Sequence, residues 1–212
     1  MRRPTKILIS VIAVITILAV VLFLIYPMSN IDPGLLRAYR SAGLDIDNNG
    51  RISRYELLLA SGDLDFSNYS IENLYSIVYM WNIRGLNLSQ NSISDIKELS
   101  RLRNLETLDI SSNNIIDLMP LESLKRLENL FASDNNIVDV TPLVRCRSLR
   151  YLDLSSNWIE DPTPLLPLVS TKRLHILNLN KNNIHDENRL ALFIGMTEFH
   201  SEDNPRNDRP RN

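Results

Sequence analysis

The sequence predicts an α/β solenoid: one parallel sheet built from short stacked units, entered through a small helical cap. Three observations carry that prediction. The 212-residue chain repeats itself with a period of 22 over more than half of its length. A twelve-residue loop with oxygen-bearing side chains at alternating positions precedes the repeats, and an uncharged apolar run precedes the loop. Composition removes other classes. A single Cys permits no internal disulfide and no multi-cysteine zinc site. A net charge of −2 lacks the basic excess of nucleic-acid binders. An apolar content of 44% is too high for a disordered chain.

Residues 7–26 contain no charge, Gly or Pro and follow Arg2, Arg3 and Lys6. As a helix they would be about 30 Å long, the thickness of a bilayer core. The expectation is a retained single-pass signal anchor over 7–26, with a basic cytoplasmic flank over 1–6. The positive-inside bias would leave the remainder extracytoplasmic. A cleaved signal peptide is the alternative, but the run is long for one and no small-x-small site follows it.

A short linker, 27–32, leads to a helical cap over 33–60. Asp32-Pro33-Gly34 suits a helix start, with Asp32 capping and Pro33 in the first turn. Residues 45–56 then fill every position of D-x-[DN]-x-[DN]-G-x5-E, the calcium loop of an EF-hand. Ca2+ takes six to eight oxygens. Asp45, Asp47 and Asn49 would offer side-chain oxygens, Arg51 its carbonyl, Ser53 a water-bridged position and Glu56 a bidentate carboxylate. Gly50 permits the turn, and Ile52 should point inward. The expected cofactor is a structural Ca2+. A second loop from Asp63 fails, with no Gly at its sixth position and Leu74 at its twelfth.

The repeats occupy 61–200. Their motif is L-x-x-L-x-L-x-x-N-x-I, as in Leu105, Leu108, Ile110, Asn113 and Ile115. It recurs with Asn91, Asn135, Asn157 and Asn182, the last interval lengthened to 25 by a Pro-rich stretch. A degenerate first unit carries Leu64, Phe66 and Ile71 and makes about six units in all. These are leucine-rich repeats: the Leu positions point inward, and each Asn bonds backbone that no strand partner satisfies. Cys146 shares a slot with Leu102 and Leu124 and should be buried. The polar tail 201–212 is expected to be disordered.

In two units Ile115-Ile116-Asp117-Leu118-Met119-Pro120-Leu121 and Ile137-Val138-Asp139-Val140-Thr141-Pro142-Leu143 follow I-x-D-[IL]-x-P-L, the second with Val140 in its aliphatic slot. With a calcium loop running into the first unit, the chain resembles bacterial leucine-rich-repeat proteins of the internalin type. That resemblance spans about residues 32–200. It implies an extracytoplasmic, non-enzymatic binding protein, with Ca2+ in a structural role.

Residues between the inward Leu positions face outward on the sheet. Phe131, Tyr151 and Ile176 form an apolar cluster there, with Asp109, Asp153 and Arg150 as a rim. These six are the expected partner-binding residues, and the expected partner is a protein of the cell envelope. The alternatives are a cell-wall or surface glycan, or a scaffold facing the cytosol. For Asp109 and Asp153, simple solvation of the face is an equal alternative. No phosphate loop, nucleophile elbow or histidine cluster suggests an enzyme or a small-molecule substrate.

Overall fold

The computed structural model describes residues 4–204, with side chains from Ile12 onward. Helix α1 spans Pro4–Ile25. The expected single-pass anchor is corrected here, and the extracytoplasmic placement built on it falls with it. Among the described residues no helix is long and apolar enough to cross a membrane. The last turn of α1 also meets a charge. The Arg54 guanidinium lies 4.0 Å from the Phe23 ring centroid and donates to the Phe23 carbonyl at 3.1 Å. The basic flank at Arg2 and Arg3, the Lys6 side chain, and residues 205–212 of the expected tail lie outside the described residues.

Helix α2 (Pro33–Ser41) begins as its capping signal dictates. Asp32 Oδ1 accepts the Gly34 and Leu35 amides at 2.7 and 3.1 Å. Its Oδ2 reaches forward to the Glu72 and Asn73 amides, tying cap to repeats. Helix α3 (Arg54–Leu59) follows the loop. Tyr39 of α2 is fully buried, bonds Ser76 at 2.8 Å and meets Phe66 edge-on at 5.5 Å. The cap therefore closes the first unit, covering apolar ends that an open stack would expose to water.

Seven parallel strands follow in sequence order: β1 (Gly62–Asp65), β2 (Ile83–Asn87), β3 (Thr107–Asp109), β4 (Asn129–Phe131), β5 (Tyr151–Asp153), β6 (Ile176–Asn178) and β7 (Glu198–His200). Register follows the repeat, with Leu108 paired to Leu130 and Leu130 to Leu152. Between β5 and β6 the three extra residues lengthen the outer segment into a 3-10 turn, Thr163–Leu165, and a short helix, α4 (Leu166–Ser170). Earlier units carry 3-10 turns there, as at Lys97–Arg101, Met119–Ser123 and Thr141–Arg145. Helix α5 (Glu187–Ala191) takes that place in the last unit.

The repeat asparagines act as expected. Asn113 Oδ1 accepts the Ile93 amide at 3.0 Å, and its Nδ2 donates to the Leu88, Ile110 and Ser111 carbonyls. The 22-residue spacing continues one step further than expected. Asn204 accepts from the Asn182 amide at 3.0 Å and donates to Leu179 O. A turn held by Asn204 thus replaces the start of the expected tail, directly after a seventh strand that ends the repeat region. Phe193 and Phe199 stack at 5.5 Å and close that end.

A second ladder explains the Asp of the I-x-D signature. Asp95, Asp117, Asp139 and Asp161 each accept the amide two residues on, opening the outer turn that follows. Cys146 is buried, its Sγ 3.2 Å from Leu121 O, and burial pushes its thiol up to about 11.

Candidate functional site

The outward residues of the strands form two columns on the sheet face. Tyr151 lies in register between Asn129 and Ile176, and Phe131 between Asp109 and Asp153. The Phe131 and Tyr151 rings approach to 4.7 Å at an interplanar angle of 36°. Both rings and Ile176 are partly exposed, although each sits on a strand whose central Leu is fully buried. The structure therefore brings the apolar cluster together. Burial, reinforced by the carboxylates of Asp153 and Glu198, pushes the Tyr151 phenol above its usual range.

The expected rim residues have structural work. Asp153 Oδ1 accepts the Ser155 amide at 2.9 Å and the Ser155 hydroxyl at 2.7 Å. Asp109 does the same for Ser111. Asp65, Asn87 and Asn178 occupy the same slot and cap the same turn. Arg150 pairs with Glu128 at 3.3 Å, both half-exposed.

Phe131 departs from that pattern, as does His200 at the end of the column. A phenyl ring cannot accept the amide of Ser133, so this unit forgoes a turn bond worth about 0.5–1.5 kcal/mol. An aromatic group stands on the surface where neighbouring units keep an Asp or Asn that their own fold uses.

Beside Phe131 lies a groove of about 370 Å3, lined by Asp63, Asp65, Asn87, Thr107 and Asp109. Gly85 forms its floor; a Cβ there would come within 2.5 Å of Asp63 Oδ1. Sequence reasoning left Asp63 and Asp65 out because their unit is degenerate. The signal was their 22-residue spacing from Gly85 and Asn87, with which they pair. Trp158, at the turn after a repeat Asn, is 60% exposed and belongs to neither column.

The loop of 45–56 places carboxylate oxygens of Asp45, Asp47 and Glu56 within 4.8 Å of one another. Asp45 and Asp47 both accept the Asn49 amide at 3.1 Å, and Asp45 Oδ2 accepts Gly50 N at 2.9 Å. Asn49 Oδ1 accepts Arg51 N at 2.7 Å. Glu56, 5% exposed, accepts Ile46 N on Oε1 and both Ser53 N and Ser53 Oγ on Oε2. Ser53 and Glu56 thereby form the capping box of α3. Gly50 has φ of 74° and Asn48 of 55°, the left-handed conformations that the tight loop demands. Ile52 is 1% exposed, and its carbonyl accepts the Met28 amide at 2.9 Å beside an antiparallel bridge from Pro27 to Ser53. The linker thus pairs with the loop as a strand would. An all-oxygen set rich in carboxylates fits a hard divalent cation.

Residues 81–124 and 125–167 match the family model for leucine-rich repeats, two copies each spanning two units. No curated protein matches the sequence. Among solved structures, an internalin from Listeria monocytogenes superposes with a TM-score of 0.64 at 26% identity, over 82% of this chain and 57% of that one. Internalin C2 from the same organism superposes with a TM-score of 0.60 at 28% identity, over 84% of this chain and 87% of its own. The chain thus spans little more than half the length of the first. The repeats are leucine-rich repeats, and the fold is internalin-like.

Proposed function

We propose that this chain is a protein-binding module whose partner docks on the sheet face around Phe131, Tyr151 and Ile176. The observation that carries the proposal is Phe131 itself. In the slot where neighbouring units spend an Asp or Asn on a turn, this unit presents a ring that packs at 4.7 Å on a second exposed ring. Clustered aromatics surrounded by polar groups are the usual anchors of protein interfaces. Asp109 and Asp153 hold the turns beside them, and Arg150 contributes from the edge. The internalin-like fold supports the same reading.

The calcium loop completes the proposal. Asp45, Asp47, Asn49, Ser53, Glu56 and the Arg51 carbonyl hold one Ca2+, which stiffens the cap. A bound cation would supply charge balance for three clustered carboxylates and no reaction chemistry.

The docking test is crosslinking with a photoreactive amino acid at position 129, beside the rings, followed by mass spectrometry. A defined protein should be captured by the wild type and lost in Phe131→Ala/Tyr151→Ala. Capture that survives the double substitution, or binding confined to a glycan array, would overturn the proposal.

A further inference from the structure

The turns that lead into the strands carry a ladder of cations. Arg103, Lys125, Arg147 and Lys172 occupy one repeat slot, at steps of 22, 22 and 25 residues, and all four are exposed. Stacked strands lie about 4.8 Å apart, so the ladder runs about 14 Å. Lys125 donates to the Glu122 and Arg145 carbonyls, which pins it between units. Arg103, Arg147 and Lys172 have no carboxylate within ion-pair distance among the described residues. Glu128, the acid that lines the notch at the ladder's far end, is already paired with Arg150. There the ladder opens into a notch of about 390 Å3 lined by Arg150, Lys172, Arg173 and His175, with Ser148 and Glu128. This cationic edge belongs to a chain whose net charge is −2, so the basic residues are segregated rather than merely abundant.

Two residues of the notch adjoin the aromatic cluster along the chain. Arg150 directly precedes Tyr151, and His175 directly precedes Ile176, on strands paired in register. We infer that the partner presents an acidic, extended polypeptide segment to this edge, with an apolar side chain turned onto Tyr151 and Ile176. An extended segment places same-face side chains about 6.7 Å apart, so three carboxylates span the ladder. A polypeptide fits better than a simple polyanionic polymer because it offers acidic and apolar groups together, and the edge presents both. Unpaired Arg and Lys lose little on meeting carboxylates and accelerate encounter. The inference rests on the protein-binding reading above and adds the partner's chemistry to it.

The test uses the full chain and three fluorescein-labelled probes: a nonapeptide alternating Glu and Ser, the same peptide with its central Ser replaced by Leu, and inorganic polyphosphate. Anisotropy is read at low and physiological salt. The Leu peptide should bind most tightly. Arg147→Glu/Lys172→Glu, two exposed substitutions, should weaken both peptides about tenfold or more. Phe131→Ala/Tyr151→Ala should remove only the advantage of Leu. Tighter binding of polyphosphate than of either peptide would overturn the inference in favour of a phosphate polymer. No binding at low salt, or indifference to the charge reversal, would overturn it outright. In those cases partner capture that still depends on Phe131 and Tyr151 would leave the docking reading standing.

Discussion

Glu56 Oε1 accepts the amide of Ile46 at 2.9 Å, ten residues earlier, so one buried carboxylate closes the loop on itself. Its other oxygen caps α3 through Ser53. Two effects of Glu56 are therefore separable. Glu56→Ala should lower stability by about 1–2 kcal/mol even in chelator, because the capping box is lost. Glu56→Gln retains acceptor capacity but loses the charge. In the wild type, Ca2+ at millimolar concentration should raise the melting temperature and excess chelator reverse it. Glu56→Gln should abolish that rise. A wild-type melting temperature indifferent to Ca2+ would remove the metal from the account.

Asn113→Ala should be among the most damaging single changes, about 2–4 kcal/mol by denaturant unfolding. It strands the Ile93 amide inside the stack and takes one of two bonds from the Leu88, Ile110 and Ser111 carbonyls, which keep Asn91 Nδ2, Asn135 Nδ2 and the Gln90 amide. Asn113→Asp should not rescue it, since a carboxylate would face the Leu88, Ile110 and Ser111 carbonyls.

At Asp153 the turn and the interface can be told apart. Asp153→Ala removes the acceptor for both Ser155 bonds and should cost about 1 kcal/mol. Asp153→Asn keeps an acceptor and should cost less than half of that. If partner binding falls with Asp153→Asn while the melting temperature holds, the charge acts on the partner as well as on the turn.

Asp161 sets a pH dependence. Bonds from the Thr163 hydroxyl and amide, together with Arg189 at 3.1 Å, hold its carboxyl below the ordinary carboxylate range. A depressed native value contributes stability above the unfolded value, near 3.9, and that contribution vanishes as pH falls through the native one. The stability gap between wild type and Asp161→Ala should stay constant around neutrality and narrow below about pH 4. The group is solvated, so the gap will be modest. A gap that widens in acid would refute the assignment.

Much of this fold is legible without coordinates because the repeat is a local code. Leu spacing, the Asn that satisfies backbone, and the 25-residue interval name strands, turns and the lengthened outer segment before any packing is known. The aromatic cluster was legible for the same reason, since outward positions alternate with buried ones. The ends of the stack were less so. Asp63 and Asp65 lie in a degenerate unit, and the seventh strand contains Phe199 where earlier units have Leu, so the motif fades where each end needs residues of another kind. The apolar run at the N-terminus misled because hydropathy alone says nothing of what the helix packs on; Arg54 on Phe23 does.

By itself, then, the sequence determined the stacking period, the inward and outward faces, and which residue types could gather a divalent cation. Those follow from chain chemistry within one repeat or one short loop. The tertiary structure decided which exposed groups are already employed. Asp109 and Asp153 serve turns, and Arg150 serves Glu128, whereas Phe131 serves no turn and the cations of Arg147 and Lys172 meet no carboxylate among the described residues. Such employment depends on partners brought close by stacking, a distance that no single repeat encodes.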